Sequence, residues 1–148
     1  MPSSTTAILM VEDDPNDVFM LRRALDKEGL PFPVQVVQDG EEAIHYLEGH
    51  SPFSDRSQHP FPCLILLDLK LPRMNGLELL SWLRAHDDFK ELPVFMLTSS
   101  SEPQDRREAE RFGVDAYRVK PLSFGELIQV AREIRRKSDE HCGEGAAS

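Results

Sequence analysis

The sequence predicts an α/β fold built on a parallel sheet, and three observations carry that prediction. Short apolar runs alternate with longer segments whose apolar residues recur at helical spacing, the pattern of successive strand–helix units. Each of the key runs stops on a polar or charged residue. No segment repeats, and 148 residues is the size of one domain able to bury a core.

The elements follow in order. The run Ala7-Ile8-Leu9-Met10-Val11 delivers Glu12-Asp13-Asp14. Asp14 can cap a helix that Pro15 opens, because proline has no N–H to lose at the first helical position. Val18, Leu21 and Leu25 share one face of that helix, and Gly29 can end it. Val34-Gln35-Val36-Val37 reads as a second strand, and Asp39-Gly40 turns into a short helix carrying Ala43, Ile44 and Leu47. The unbroken run Cys63-Leu64-Ile65-Leu66-Leu67 delivers Asp68. Asn75-Gly76 leads into a helix with Leu77, Leu80 and Leu83 inward. Pro93 to Leu97 leads to Thr98 and Ser99, and Glu102-Pro103 opens a polar helix to about Phe112. Gly113 breaks it before a fifth strand, Ala116 to Val119, which delivers Lys120-Pro121. The last helix starts near Ser123, with Phe124, Leu127, Ile128, Ala131 and Ile134 at helical spacing.

The domain is expected to span residues 7–137. Residues 1–6 are expected to be flexible, and the polar, glycine-rich tail 138–148 disordered. Residues 49–62, with Pro52, Pro60 and Pro62, form an extended proline-rich loop. A loop of that length in a compact domain is usually functional or disordered.

Composition narrows the function. A hydrophobic fraction of 40% with 29% charged residues is that of an ordinary globular protein. A net charge of −9 repels phosphate backbones and argues against nucleic-acid binding. Arg132, Arg135, Arg136 and Lys137 read as the solvated end of a helix, where cations complement the carbonyl dipole. No apolar stretch approaches the roughly 18 residues that span a bilayer, and the N-terminus lacks a secretory signal pattern, so a cytoplasmic location without membrane attachment is expected. Cys63 and Cys142 match no ligand spacing and read as ordinary reduced thiols. The five histidines, His45, His50, His59, His86 and His141, form no zinc pattern.

In an open parallel sheet the carboxyl ends of the strands converge on the ligand crevice. A carboxylate such as Asp68 at such an end is costly to desolvate unless cations or donors meet it. The joint order of Glu12-Asp13, Asp68, Thr98 and Lys120-Pro121 resembles the receiver domain of two-component response regulators, over about residues 7 to 137. The resemblance implies a flavodoxin-like (βα)5 architecture with strand order 2-1-3-4-5; the chemotaxis receiver is a standard example of that order.

The resemblance also implies roles. Asp68 would be the phosphoacceptor, attacking a phosphoryl group carried on a kinase histidine. Mg²⁺ would be held by Asp13, Asp68 and the Lys70 backbone carbonyl, with Glu12 acting through water. Crowded carboxylates by themselves call for such a cation, since like charges about 4 Å apart repel by something like 4 kcal/mol at an effective dielectric near 20. Lys120 would meet the phosphoryl charge, aimed by a cis peptide before Pro121. Thr98 would be the switch hydroxyl, Ser99 would offer a backbone N–H, and Tyr117 would be the aromatic that moves with Thr98. Lys70 and Ser100 occupy positions that tune phosphoryl lifetime.

The length of the 49–62 segment resembles that of single-domain regulators serving phytochrome-type histidine kinases. The resemblance implies such a kinase as partner and homodimerisation through the fourth helix, fifth strand and fifth helix. The implied output is protein contact, with no catalysis beyond the protein's own phosphorylation and dephosphorylation. A haloacid-dehalogenase-like phosphatase would need an Asp two residues after the nucleophile, where Lys70 stands. A passive docking module of receiver fold usually lacks an acidic, threonine or lysine element, and this chain has all of them.

Overall fold

The structure is a computed structural model that describes residues 6–143. Five parallel strands are laid out in the order β2-β1-β3-β4-β5, as the resemblance implied. They are β1 (Ala7–Val11), β2 (Val34–Val37), β3 (Pro62–Leu67), β4 (Val94–Thr98) and β5 (Ala116–Val119). The helices are α1 (Pro15–Lys27), α2 (Gly40–Glu48), α3 (Gly76–Ala85), α4 (Pro103–Arg111) and α5 (Phe124–Cys142).

The central strands are apolar on both faces because both faces are covered. Ile8, Met10, Leu64, Leu66, Phe95 and Leu97 pack with Leu21 and Leu25 of α1 and Ala131 and Ile134 of α5. The alternate residues Leu9, Val11, Ile65, Leu67, Val94 and Met96 pack with Ala43 and Leu47 of α2, Leu79, Leu80 and Leu83 of α3, and Ala109 of α4. Period-two alternation thus divides each strand between two cores. Truncating a fully buried residue such as Leu80 to alanine costs roughly 2–5 kcal/mol.

The helix starts follow their caps. Asp14 accepts from the Asn16 N–H, Asp39 from Glu42, and Ser123 from Glu126. Asn75 and Glu78 close a reciprocal capping box at α3. Gly49, at φ 72°, ends α2 in the left-handed conformation that glycine adopts without a Cβ penalty.

Three expectations require correction. Residues 138–142 are not a loose tail: α5 runs on to Cys142, with Ser138 buried and its hydroxyl donating to the Arg135 carbonyl. The polar composition hid this because the extension packs through only a few positions; residues 144–148 lie outside the described residues. Thr6 is likewise tied down, donating to the Phe61 carbonyl at 3.0 Å, while residues 1–5 lie outside the described residues. Cys63 and Cys142 are not separate thiols but are joined in a disulfide, with Cα atoms 5.4 Å apart. Only the extension of α5 across the start of β3 brings them together.

The segment from Gly49 to Pro62 is folded. The Tyr46 hydroxyl donates to the Pro60 carbonyl at 2.8 Å, and the Arg56 guanidinium donates to the carbonyls of Leu47 and His59. Tyr46, Phe53 and His59 meet in a ring cluster with centroids 5.1–5.9 Å apart. Arginine and aromatic residues here replace the backbone ladder that the loop lacks.

Candidate functional site

The carboxyl ends of β1, β3 and β5 are held in register by the backbone beyond the last strand residue. The Glu12 N–H donates to Val37 O at 2.9 Å, the Asp68 N–H to Val11 O at 3.2 Å, and the Lys120 N–H to Thr98 O at 2.7 Å. Three site residues are therefore fixed by the sheet itself. At the start of α3, the Gly76 N–H donates to Leu69 O at 2.8 Å. A side chain at Gly76 would run into the Asp68 carbonyl, so glycine is what lets α3 approach the site.

Lys120 is the hub. Its Nζ donates to Asp68 Oδ2 at 2.7 Å, to Glu12 Oε1 at 2.8 Å and to Asp17 Oδ2 at 2.7 Å, which uses all three ammonium hydrogens. The second Asp68 oxygen accepts from the Lys70 N–H at 3.1 Å. Glu12 and Asp68 are each only 6% exposed, so one ammonium serves two buried carboxylates and a partly exposed third. Burial pushes the Glu12 carboxyl up to about 7, against hydrogen bonds from Lys120 and the Asp14 N–H, and the Asp68 charge adds to the rise. Burial works to lower the Lys120 pKa, but the hydrogen bonds to Asp17, Asp68 and Glu12 outweigh it and raise it.

Asp17 was missed by sequence reasoning. The available signal was its place in the first turn of the helix capped by Asp14, where an acid both suits the helix dipole and faces back toward the strand ends. Asp13 and Ser99 are exposed, and Thr98 is fully buried with its Oγ1 accepting from the Ser100 N–H at 3.3 Å. Tyr117 is also buried; its hydroxyl donates to the Ser100 carbonyl at 2.9 Å, and the Arg106 guanidinium lies 5.6 Å from its ring centroid. Burial raises the Tyr117 phenol pKa, opposed by the hydrogen bond to Ser100. Ser100 in turn donates to Asp105.

The expected cis peptide before Pro121 is absent; among the described residues the cis bond is Ser51–Pro52. Lys120 reaches its three carboxylates through a trans linkage, which X–Pro bonds favour by about 0.5–1 kcal/mol.

Among the described residues, no group of three or more His, Cys, Asp or Glu side chains is disposed to hold a metal ion. The donor chemistry nevertheless fits a hard divalent cation held by few protein ligands. The candidate donors are oxygens, those of the buried Glu12 and Asp68 carboxylates and of the exposed Asp13.

The β3–α3 loop is held from the side by a third buried acid. Asp39, 1% exposed, caps α2 and pairs with Arg73. Arg73 itself has φ 60°, an uncommon conformation for a residue with a Cβ.

This arrangement presents a buried carboxylate to a lysine at the carboxyl ends of a parallel sheet. The family model of the response regulator receiver domain matches residues 8–132, and the chain belongs to that family. It is 34% identical over 128 residues to the "Probable methanogenesis regulatory protein FilR2" of Methanothrix harundinacea, covering 86% of this chain and 80% of that one. The phosphorylated cyanobacterial phytochrome response regulator RcpA superimposes with a TM-score of 0.80 at 29% identity, covering 92% of this chain and 93% of that one. The Mn(2+)-bound form of response regulator Rcp1, from Synechocystis, superimposes with a TM-score of 0.78 at 27% identity, covering 94% and 95%. The chain spans only 54% and 55% of two other curated regulators that it matches, SphR of Synechococcus elongatus and MprA of Mycolicibacterium vanbaalenii.

Proposed function

We propose that this receiver is a phosphoacceptor switch, in which Asp68 takes a phosphoryl group from the phosphohistidine of a sensor kinase. The observation that carries the reading is the buried Asp68 carboxylate, held at 2.7 Å by Lys120 beside Glu12 at the carboxyl edge of the sheet. An Asp68 oxygen attacks phosphorus as the P–N bond breaks, and the histidine nitrogen keeps the electron pair. Lys120 remains protonated and can turn one N–H toward the transferred oxygens, a charge-stabilising role. Glu12, Asp13, Asp68 and the Lys70 carbonyl would hold Mg²⁺, which when bound neutralises phosphoryl charge. The likeness to Rcp1, solved in a Mn(2+)-bound form, supports a divalent cation as the receiver's partner.

A protein donor is supported by the surroundings. Met20, 37% exposed, and Leu122, fully exposed, line a groove between α1 and α5 that Glu12 and Lys120 also line. Apolar residues beside a charged site suit a macromolecular partner. The likeness to the phytochrome response regulator RcpA supports a phytochrome-type kinase as donor; among the described residues no helix is long and apolar enough to cross a membrane. Thr98, Ser99 and Tyr117 would carry the change to the surface of α4, β5 and α5, where homodimerisation is the proposed output. On that surface Arg118 already forms a double-pronged pair with Glu133 at 3.0 Å, so a partner would have to bind or exchange an existing ion pair.

Incubation with acetyl phosphate and Mg²⁺ should add one phosphate by intact mass, and Asp68→Asn or chelator should abolish it. An adduct that persists in Asp68→Asn would place the acceptor elsewhere.

A further inference from the structure

The Cys63–Cys142 pair lies at the start of β3, at the end of the sheet opposite Asp68, and no part of the phosphoacceptor reading uses it. The two residues are 79 positions apart in sequence, yet their Cα atoms are 5.4 Å apart, within the range a disulfide spans without backbone movement. The reduced state is also provided for, because the Cys63 sulfur lies 3.4 Å from the Ala7 carbonyl, an acceptor for a thiol hydrogen. Neither cysteine is fully buried, so a small reagent can reach the pair.

The rest of α5 does not depend on the bond. Ile134 and Ser138 are fully buried, Arg135 donates to the Glu28 carbonyl at 2.7 Å, and Arg132 pairs with Glu28 at 3.1 Å. Beyond Ser138 the final turn carries Asp139, Glu140 and His141 on its exposed side and is joined to the sheet through Cys142. Opening the bond would free that turn and leave the fold standing.

We infer that Cys63 and Cys142 form a reversible redox-modification site that fastens or frees the last turn of α5 independently of Asp68. Its oxidant is a disulfide of the glutathione class and its reductant a dithiol. The Cys142 thiolate attacks one oxidant sulfur and expels the other as a thiolate, leaving a mixed disulfide. The Cys63 thiolate then attacks the Cys142 sulfur and expels the second oxidant thiolate. Two protein thiols lose their protons and together two electrons, and one small disulfide becomes two thiols. A dithiol opens the bond better than a monothiol, because its second thiol resolves the mixed disulfide within one molecule.

The test uses the full chain, glutathione disulfide and dithiothreitol, with acid quenching, iodoacetamide alkylation and intact mass. The reduced chain should take two alkyl groups and the oxidised monomer none, at the same rate in Asp68→Asn; Cys63→Ser and Cys142→Ser should each keep one alkylatable thiol. Amide exchange at residues 139–142 should be about tenfold faster in the reduced protein, while residues 124–138 stay within about twofold. Stable glutathione adducts, disulfide-linked dimers, or equal exchange at 139–142 in both states would overturn the inference.

Discussion

The two ends of the sheet solve opposite problems. At the carboxyl ends of the strands, Glu12, Asp17 and Asp68 crowd one ammonium, so the site is short of positive charge and poised for a cation or an anionic group to rearrange it. At the amino ends, the 49–62 loop and the end of α5 are closed by aromatic contacts, carbonyl-directed hydrogen bonds from Arg56 and a covalent bond. One end is built with its electrostatics unsatisfied and the other is held by matched contacts and one bond that a dithiol can open. That contrast follows the general rule that functional sites hold frustrated interactions while the remainder of the fold is locally consistent.

The sharpest way to break the comparison is to alter charge at the first end. In metal-free buffer, Lys120→Ala should destabilise by about 3 kcal/mol, the effect of stranding buried charges. Asp68→Asn should leave urea stability unchanged or raise it, because asparagine still offers Lys120 an acceptor while one like charge is gone. A loss from Asp68→Asn as large as that from Lys120→Ala would mean the carboxylates are not crowded at all.

Acidity separates the ends next. Native Glu12 holds its proton up to about 7, whereas its unperturbed value is 4.5. Its contribution to stability is therefore complete below about 4.5 and is lost as pH rises through about 7. The span is at most about 3 kcal/mol, at 1.36 kcal/mol per unit. Urea midpoints of the chelated protein should fall over that window, and Glu12→Gln should flatten the fall. At the other end, burial pushes the Tyr46 phenol up to about 12, so its contribution declines only as pH rises from 10 through about 12. Absorbance titration of Tyr46→Phe against wild type should remove a late-ionising phenol.

The smallest expected effect tests the closed end alone. Arg56→Ala removes two donors to the Leu47 and His59 carbonyls and should cost about 1–2 kcal/mol. Acetyl phosphate labelling should be unaffected; a parallel loss of labelling would show the two ends to be coupled.

Much of this molecule was legible in one dimension. The strand–helix alternation, the cap at Asp14, the helix starts near Asp39 and Ser123, and the order of Glu12, Asp68, Thr98 and Lys120 all depend on local periodicity and turn chemistry, which neighbouring residues encode. The tertiary structure decided what local patterns cannot carry. Asp17 joins the site only because α1 packs beside β5's end, and Arg73 meets Asp39 only because the β3–α3 loop folds over α2. The 49–62 loop is ordered by Tyr46 and Arg56 rather than by its own composition. Cys63 finds Cys142 because α5 continues past the point where its apolar spacing stops. Each of these contacts joins residues distant in sequence, and their partners are chosen by packing rather than by period.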